Sequence, residues 1–219
     1  MDHVPVETTP YVKPLWRGWL HFVGTLLLLI ALPFAVARCH TWAQVGWTLC
    51  YFVGVIAMMG TSAVFHLVHH SPRRRRALRR ADHTTIFVAI AGSYFAIAGL
   101  TMHGMVRLAL LLVVSVGSAV GITIRQIAHE APKWAKSLPY LVVGWAAIAF
   151  LPQIARGGGV ACVWWIAAGG LAYSAGAAVY GAKRPQLAPR VFGYHELFHA
   201  FTLLGAGCHL VAIWEALGH

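Results

Sequence analysis

The chain is 219 residues long, 59% hydrophobic and only 11% charged, against roughly 25% charged residues in soluble globular domains. That composition excludes a large soluble core and specifies an integral membrane protein. The formal charge of +11 arises from 17 Lys and Arg against six acids, and the position of those cations beside apolar runs accounts for them without nucleic acid.

Residues 1–14 carry Asp2, Glu7 and three prolines ahead of the first apolar run, with no small-residue cleavage site after a short apolar core. They read as a short cytoplasmic tail and not as a cleaved signal peptide. A spanning helix needs about 20 mostly apolar residues. Seven stretches qualify: residues 15–36, 43–68, 81–100, 106–124, 138–154, 160–180 and 191–217. The connections between them are short, so residues 15–219 form a single all-α seven-helix membrane domain.

Lys and Arg alternate in abundance between successive connections. Lys13, Arg17, Arg73 to Arg76, Arg79, Arg80, Arg125, Lys133, Lys136, Lys183, Arg184 and Arg190 lie on one side, and only Arg38, Arg107 and Arg156 on the other. Because cytoplasmic connections accumulate these residues, the N-terminus is cytoplasmic and the C-terminus extracytoplasmic. The arginine run at 73–80 is explained by topology and by attraction to anionic headgroups. Trp16, Trp19, Trp42, Trp134, Trp164 and Trp165 sit near span ends as interfacial anchors. Cys39, Cys50, Cys162 and Cys208 contain no C-x-x-C pair, which excludes zinc ribbons and thioredoxin chemistry.

Ionisable groups inside membrane segments are costly and mark functional sites. Three places qualify: Ser62 and His66 at the inner end of the second span, Asp82 and His83 at the inner start of the third, and His195 with His199 at the inner start of the seventh. The topology puts all three at the cytoplasmic leaflet. Residues four apart share one helix face, so His195 and His199 present a metal-binding pair, and His66 supplies a third imidazole. Three protein ligands with an open fourth position form the coordination of a catalytic zinc, although copper, nickel or iron accept the same donors. Asp82 is placed to take a proton from water, and Ser62 to position Asp82, a ligand or the substrate. His70 also lies four residues beyond His66 and rivals it, while His21 and His209 are candidates for hydrogen bonds inside the bundle.

These residues carry a resemblance. Ser62-x-x-x-His66, the basic connection from Ser71-Pro72-Arg73 to Arg80-Ala81-Asp82-His83, then Ile86-Phe87 with Ala91-Gly92-Ser93-Tyr94, and finally His195-x-x-x-His199 resemble the hemolysin III family. Its members are bacterial relatives of the progestin and adipoQ receptors, which include the adiponectin receptors. The resemblance implies a seven-helix bundle with zinc held by His66, His195 and His199 and with Asp82 linked through water. It further implies a zinc-dependent hydrolase of the ceramidase type, acting on membrane lipids in lipid homeostasis of the bacterial cytoplasmic membrane. Relatives commonly continue Ala91-Gly92-Ser93-Tyr94 with a Thr-Pro-type sequence, where this chain has Phe95-Ala96.

Two other readings compete. His195-Glu196-Leu197-Phe198-His199 also spells the H-E-x-x-H of zinc metalloproteases, with Glu196 as general base. That reading lacks a suitable third ligand: Asp82, the one acid at the inner leaflet, has no N-x-D-G setting, and Glu215 lies 16 residues beyond His199, roughly 24 Å along the helix. A non-enzymatic receptor or cytolytic protein would instead use the same zinc as a structural staple.

Overall fold

The structure is a computed structural model and describes residues 13–127, 133–188 and 190–219, without the side chains of residues 133–137. Most of the tail expected at residues 1–14 lies outside the described residues, as do His129 and Glu130, and the anchor at Trp134 falls among the undescribed side chains. The described residues are mainly helical: α1 (Trp19–Ala37), α2 (Trp42–Leu67), α3 (Pro72–Thr101), α4 (Gly104–Ile127), α5 (Lys133–Gly144), a 3-10 turn (Ala146–Phe150), α6 (Leu151–Ala182) and α7 (Tyr194–Leu217).

Among the described residues, six helical stretches are long and apolar enough to cross a membrane, the fifth being the 45-residue stretch Leu138–Ala182. A straight helix of that length would be about 68 Å long, twice the hydrocarbon thickness. It folds back instead. Gly159 has φ 79° and ψ 165°, a conformation open to glycine almost alone. On either side of it, Trp145 Nε1–H donates to Ser174 Oγ at 2.9 Å. One limb runs up α3, from the Tyr140 hydroxyl bonded to the His83 carbonyl to Gly157 packed against the Thr101 carbonyl. The other returns along α7, from Gly159 beside His219 to Tyr180 against His195. The break between α5 and the 3-10 turn is held by Tyr94, whose hydroxyl donates to the Gly144 carbonyl at 2.6 Å and accepts from Ala147 N–H at 2.9 Å.

The basic segment at 73–80 is part of α3, not a connection. Pro72 starts that helix, where its missing N–H costs nothing, and arginine is a good helix former. The 30 residues of α3 extend about 45 Å, so its arginine turns project beyond an apolar layer of about 30 Å. The helix runs unbroken through Phe95-Ala96.

Helix α3 is the hub, packed against α2, α4, α5, α6 and α7. Its approach to α2 is close because Gly54 faces the Val88 carbonyl, where a Cβ would lie 2.7 Å away. Small residues at such crossings let backbones meet, the usual basis of helix association in lipid. The core includes Tyr51, Phe52, Val55, Met59 and Phe87. Leu26, Leu27 and Ile30 of α1 and Val113, Val116 and Val120 of α4 remain exposed on the bundle's outer face, as lipid-facing residues should. All four cysteines are free.

Candidate metal centre

The last turn of α2 carries His66, with Ser62 one turn before it; the third turn of α3 carries Asp82, and the first two turns of α7 carry His195 and His199. Antiparallel packing brings these helix ends together at the arginine-rich end of the bundle. One ring nitrogen from each of His66, His195 and His199 lies within 4.8 Å of the other two. The ring centroids are 5.0 Å apart for His66 and His195, 5.4 Å for His66 and His199, and 4.6 Å for His195 and His199.

The donor set fits a zinc ion. Tetrahedral donors at about 2.0–2.1 Å from zinc lie about 3.3–3.4 Å from one another, so side-chain adjustments of about an ångström bring these nitrogens onto one ion. Among the described residues no carboxylate or thiol joins the group. Three imidazoles would leave one position of a tetrahedral ion open.

Ser62 and Asp82 meet beside the histidines. The Ser62 side chain lies near enough to the Asp82 carboxyl group to act on it, as does the Arg125 charge. Arg125 of α4 and Tyr140 of α5 line the same cavity, close enough for the Arg125 charge to act on the Tyr140 hydroxyl. Ser62, Asp82, His195 and His199 all line one cavity of about 180 Å³, which continues past Tyr173 and Trp145 to His209. Its walls are largely apolar, with Ser62, Asp82, His195 and His199 among the few polar groups.

The remaining histidines sort by position. His70 does not compete with His66, because its Nε2 faces the Val64 carbonyl of α2 at 3.0 Å. His83 Nδ1 lies 2.6 Å from the Arg79 carbonyl. The sequence suggests a hydrogen bond for His21 inside the bundle. Instead His21 is 3% exposed, neither ring nitrogen has a hydrogen-bond partner among the described residues, and the ring stacks flat on His199 with centroids 3.9 Å apart. Hydropathy reveals only that a histidine sits in the first span, not which helix it faces. His209 lies with its ring against Gly169 and no hydrogen bond of ordinary geometry from either nitrogen.

Glu196 is not part of the histidine group. Its side chain is 0% exposed and pairs with Arg17 Nε, while Oε2 accepts the Gly193 N–H at 2.8 Å and caps α7. Its partner Arg17 shows that it faces the segment before α1, about 100° round the helix from His195. That segment lies over the site. Lys13 Nζ donates to the His66 carbonyl, and the amides of Leu15 and Trp16 donate to the carbonyls of Arg190 and Val191, each at 3.2 Å. Partial burial, then the charges of Arg17 and Arg75, lower the pKa of Lys13 from its ordinary value.

A family model described as Haemolysin-III related matches residues 10–210, a range that contains the histidine triad, Ser62 and Asp82. The chain belongs to this family. Hemolysin-3 of Bacillus cereus is 27% identical over 214 residues, covering 94% of this chain and 93% of the relative. The Hemolysin-3 homolog of Bacillus subtilis (strain 168) is 27% identical over 193 residues, covering 85% of each. Family membership and the six apolar helical stretches make this haemolysin-III-related chain a multi-pass bacterial membrane protein.

Proposed function

We propose that the chain is a zinc-dependent lipid hydrolase of the cell membrane, cleaving an N-acyl amide of the ceramide type. The observation that carries this reading is the grouping of His66, His195 and His199, two of which line one largely apolar cavity together with Asp82 and Ser62. The proposal includes seven crossings, the two limbs around Gly159 counting as separate spans. It also places the arginine-rich end, with the N-terminus, in the cytoplasm and the C-terminus outside.

His66, His195 and His199 would hold the ion, which supplies Lewis acidity and makes water a nucleophile at neutral pH. Within the cavity an acyl chain lies along the apolar wall, leaving the amide beside Asp82. Water adds its oxygen to the carbonyl carbon, and a carboxylate oxygen of Asp82 takes its proton. The same proton passes to the leaving nitrogen as the C–N bond breaks, so the products are a fatty acid and an amine and Asp82 is regenerated. Ser62, which lines the cavity beside Asp82, would position the carboxylate.

The test is hydrolysis of a ceramide by purified protein, before and after chelation. Asp82→Ala should lose about 10²–10⁴-fold in turnover while keeping its metal, since Asp82 lies outside the triad. A second reading draws on the relatives' name, hemolysin: the chain permeabilises membranes and the zinc is a structural staple. No turnover, together with melting on chelation, would favour that alternative over hydrolysis.

A further inference from the structure

The three imidazoles come from only two helices, and those two are not each other's main neighbours: α2 packs chiefly on α3, and α7 chiefly on α6. Helix α1 touches both, and the segment that leads into it reaches the site. The contacts of that segment fall on the metal centre or its immediate support. Lys13 bonds the backbone carbonyl of the ligand-bearing His66. Arg17 pairs with Glu196, which lies in sequence between His195 and His199. Leu15 and Trp16 bond the turn just before α7. Gly18, at φ 91°, turns the chain so close to His66 that a Cβ would lie 2.8 Å from the His66 Cβ.

We infer that Arg17 and Glu196 are positioning residues of the metal centre, joining the segment at 13–18 to α7 so that His195 and His199 are held against His66. The inference rests on the triad's being a zinc site. Glu196 suits the role because both of its oxygens are committed, one to Arg17 and one to the Gly193 amide. Its carboxylate therefore ties the first turn of α7 to the segment before α1 and to the α7 cap at once. Groups that orient metal ligands from outside the coordination shell typically change metal affinity 10–100-fold when altered.

The experiment uses the full chain in detergent, with zinc affinity read by competition against a chromogenic chelator and the melting of metal-free protein read in parallel. Glu196→Gln keeps an acceptor for Gly193 and removes the charge; Arg17→Gln with Glu196→Gln leaves no buried charge unpaired; Arg17→Lys keeps the pair. The first two should weaken zinc binding about 10–100-fold, and Arg17→Lys should weaken it less than either. In the wild type, zinc should slow hydrogen exchange at the Leu15 and Trp16 amides, since a segment that favours the metal must be favoured by it in return.

A double variant that binds zinc within about threefold of wild type, well short of the usual effect of such residues, would overturn the inference. So would exchange at Leu15 and Trp16 that zinc leaves unchanged, or a loss of metal-free melting temperature with zinc affinity intact. A wild type that takes up no zinc would remove the metal reading and the inference with it; normal uptake with indifferent variants would remove the inference alone.

Discussion

Glu196→Ala separates the reading of Glu196 as a buried structural carboxylate from its reading as a protease base, and its cost follows from the contacts it breaks. The pair is shielded on both sides, with Arg17 12% and Glu196 0% exposed at the side chain. Removing one partner of a buried pair costs about 3–5 kcal/mol, because the other charge is left uncompensated. The slight exposure of Arg17 argues for the lower half of that range. The substitution also strips the Gly193 amide of its acceptor, worth about 1–3 kcal/mol but not fully additive for a single residue. An expected loss of about 3–5 kcal/mol corresponds to a fall of about 6–20 °C in Tm for a chain of this size. Glu196→Gln retains the cap and should recover part of that loss. Arg17→Met with Glu196→Met removes both charges and should lie within about 2 kcal/mol of wild type. The assay is reversible unfolding of metal-free protein in mixed micelles, so that ligand loss does not enter. A Glu196→Ala protein within about 0.5 kcal/mol of wild type, the range of ordinary surface substitutions, would show the pair to be dispensable and return Glu196 to the catalytic candidates.

Other outcomes follow from the same contacts. Gly159→Ala forces a side chain into a backbone region that is nearly glycine-only and places a Cβ 3.0 Å from His219 Cε1, so it should destabilise the fold by about 1–3 kcal/mol in the same unfolding assay. A periplasm-active reporter fused after His219 should be active, as seven crossings require, and the same reporter placed between Lys183 and Arg190 should be silent; the reverse pattern would contradict the proposed orientation.

Much of the fold was legible because the bilayer demands it: runs of apolar residues mark helices, and the expected bounds agree with α1, α2, α4 and α7 to within four residues. The start of α3 was not legible from hydropathy, since its first turns are arginines that continue the helix outside the apolar layer. The break at Gly159 falls in the gap between the apolar runs at 138–154 and 160–180. The chain is helical on both sides of that glycine, so by length and composition the two limbs count as one long stretch. At the site, spacing and leaflet assignment predict His66, His195 and His199 at one end of the bundle, and the structure groups these three there, with Asp82 and Ser62 lining the adjoining cavity. Spacing and leaflet assignment say nothing about lateral neighbours. The stacking of His21 on His199 and the pairing of Arg17 with Glu196, 179 residues apart, depend on α1 packing against both α2 and α7. Glu196 is a letter of H-E-x-x-H that the spacing already sets apart from the His pair; its burial and its pairing with Arg17 could be seen only in the fold.

Whether His66, His195 and His199 hold one ion is decided by elemental analysis of purified wild type against a His195→Ala, His199→Ala double variant. The wild type should carry about one equivalent of zinc, and the double variant should lose it with the bundle still folded. Zinc retained by the double variant, or absent from a wild type purified without chelators and then supplied with the ion, would overturn the assignment of these three histidines as ligands.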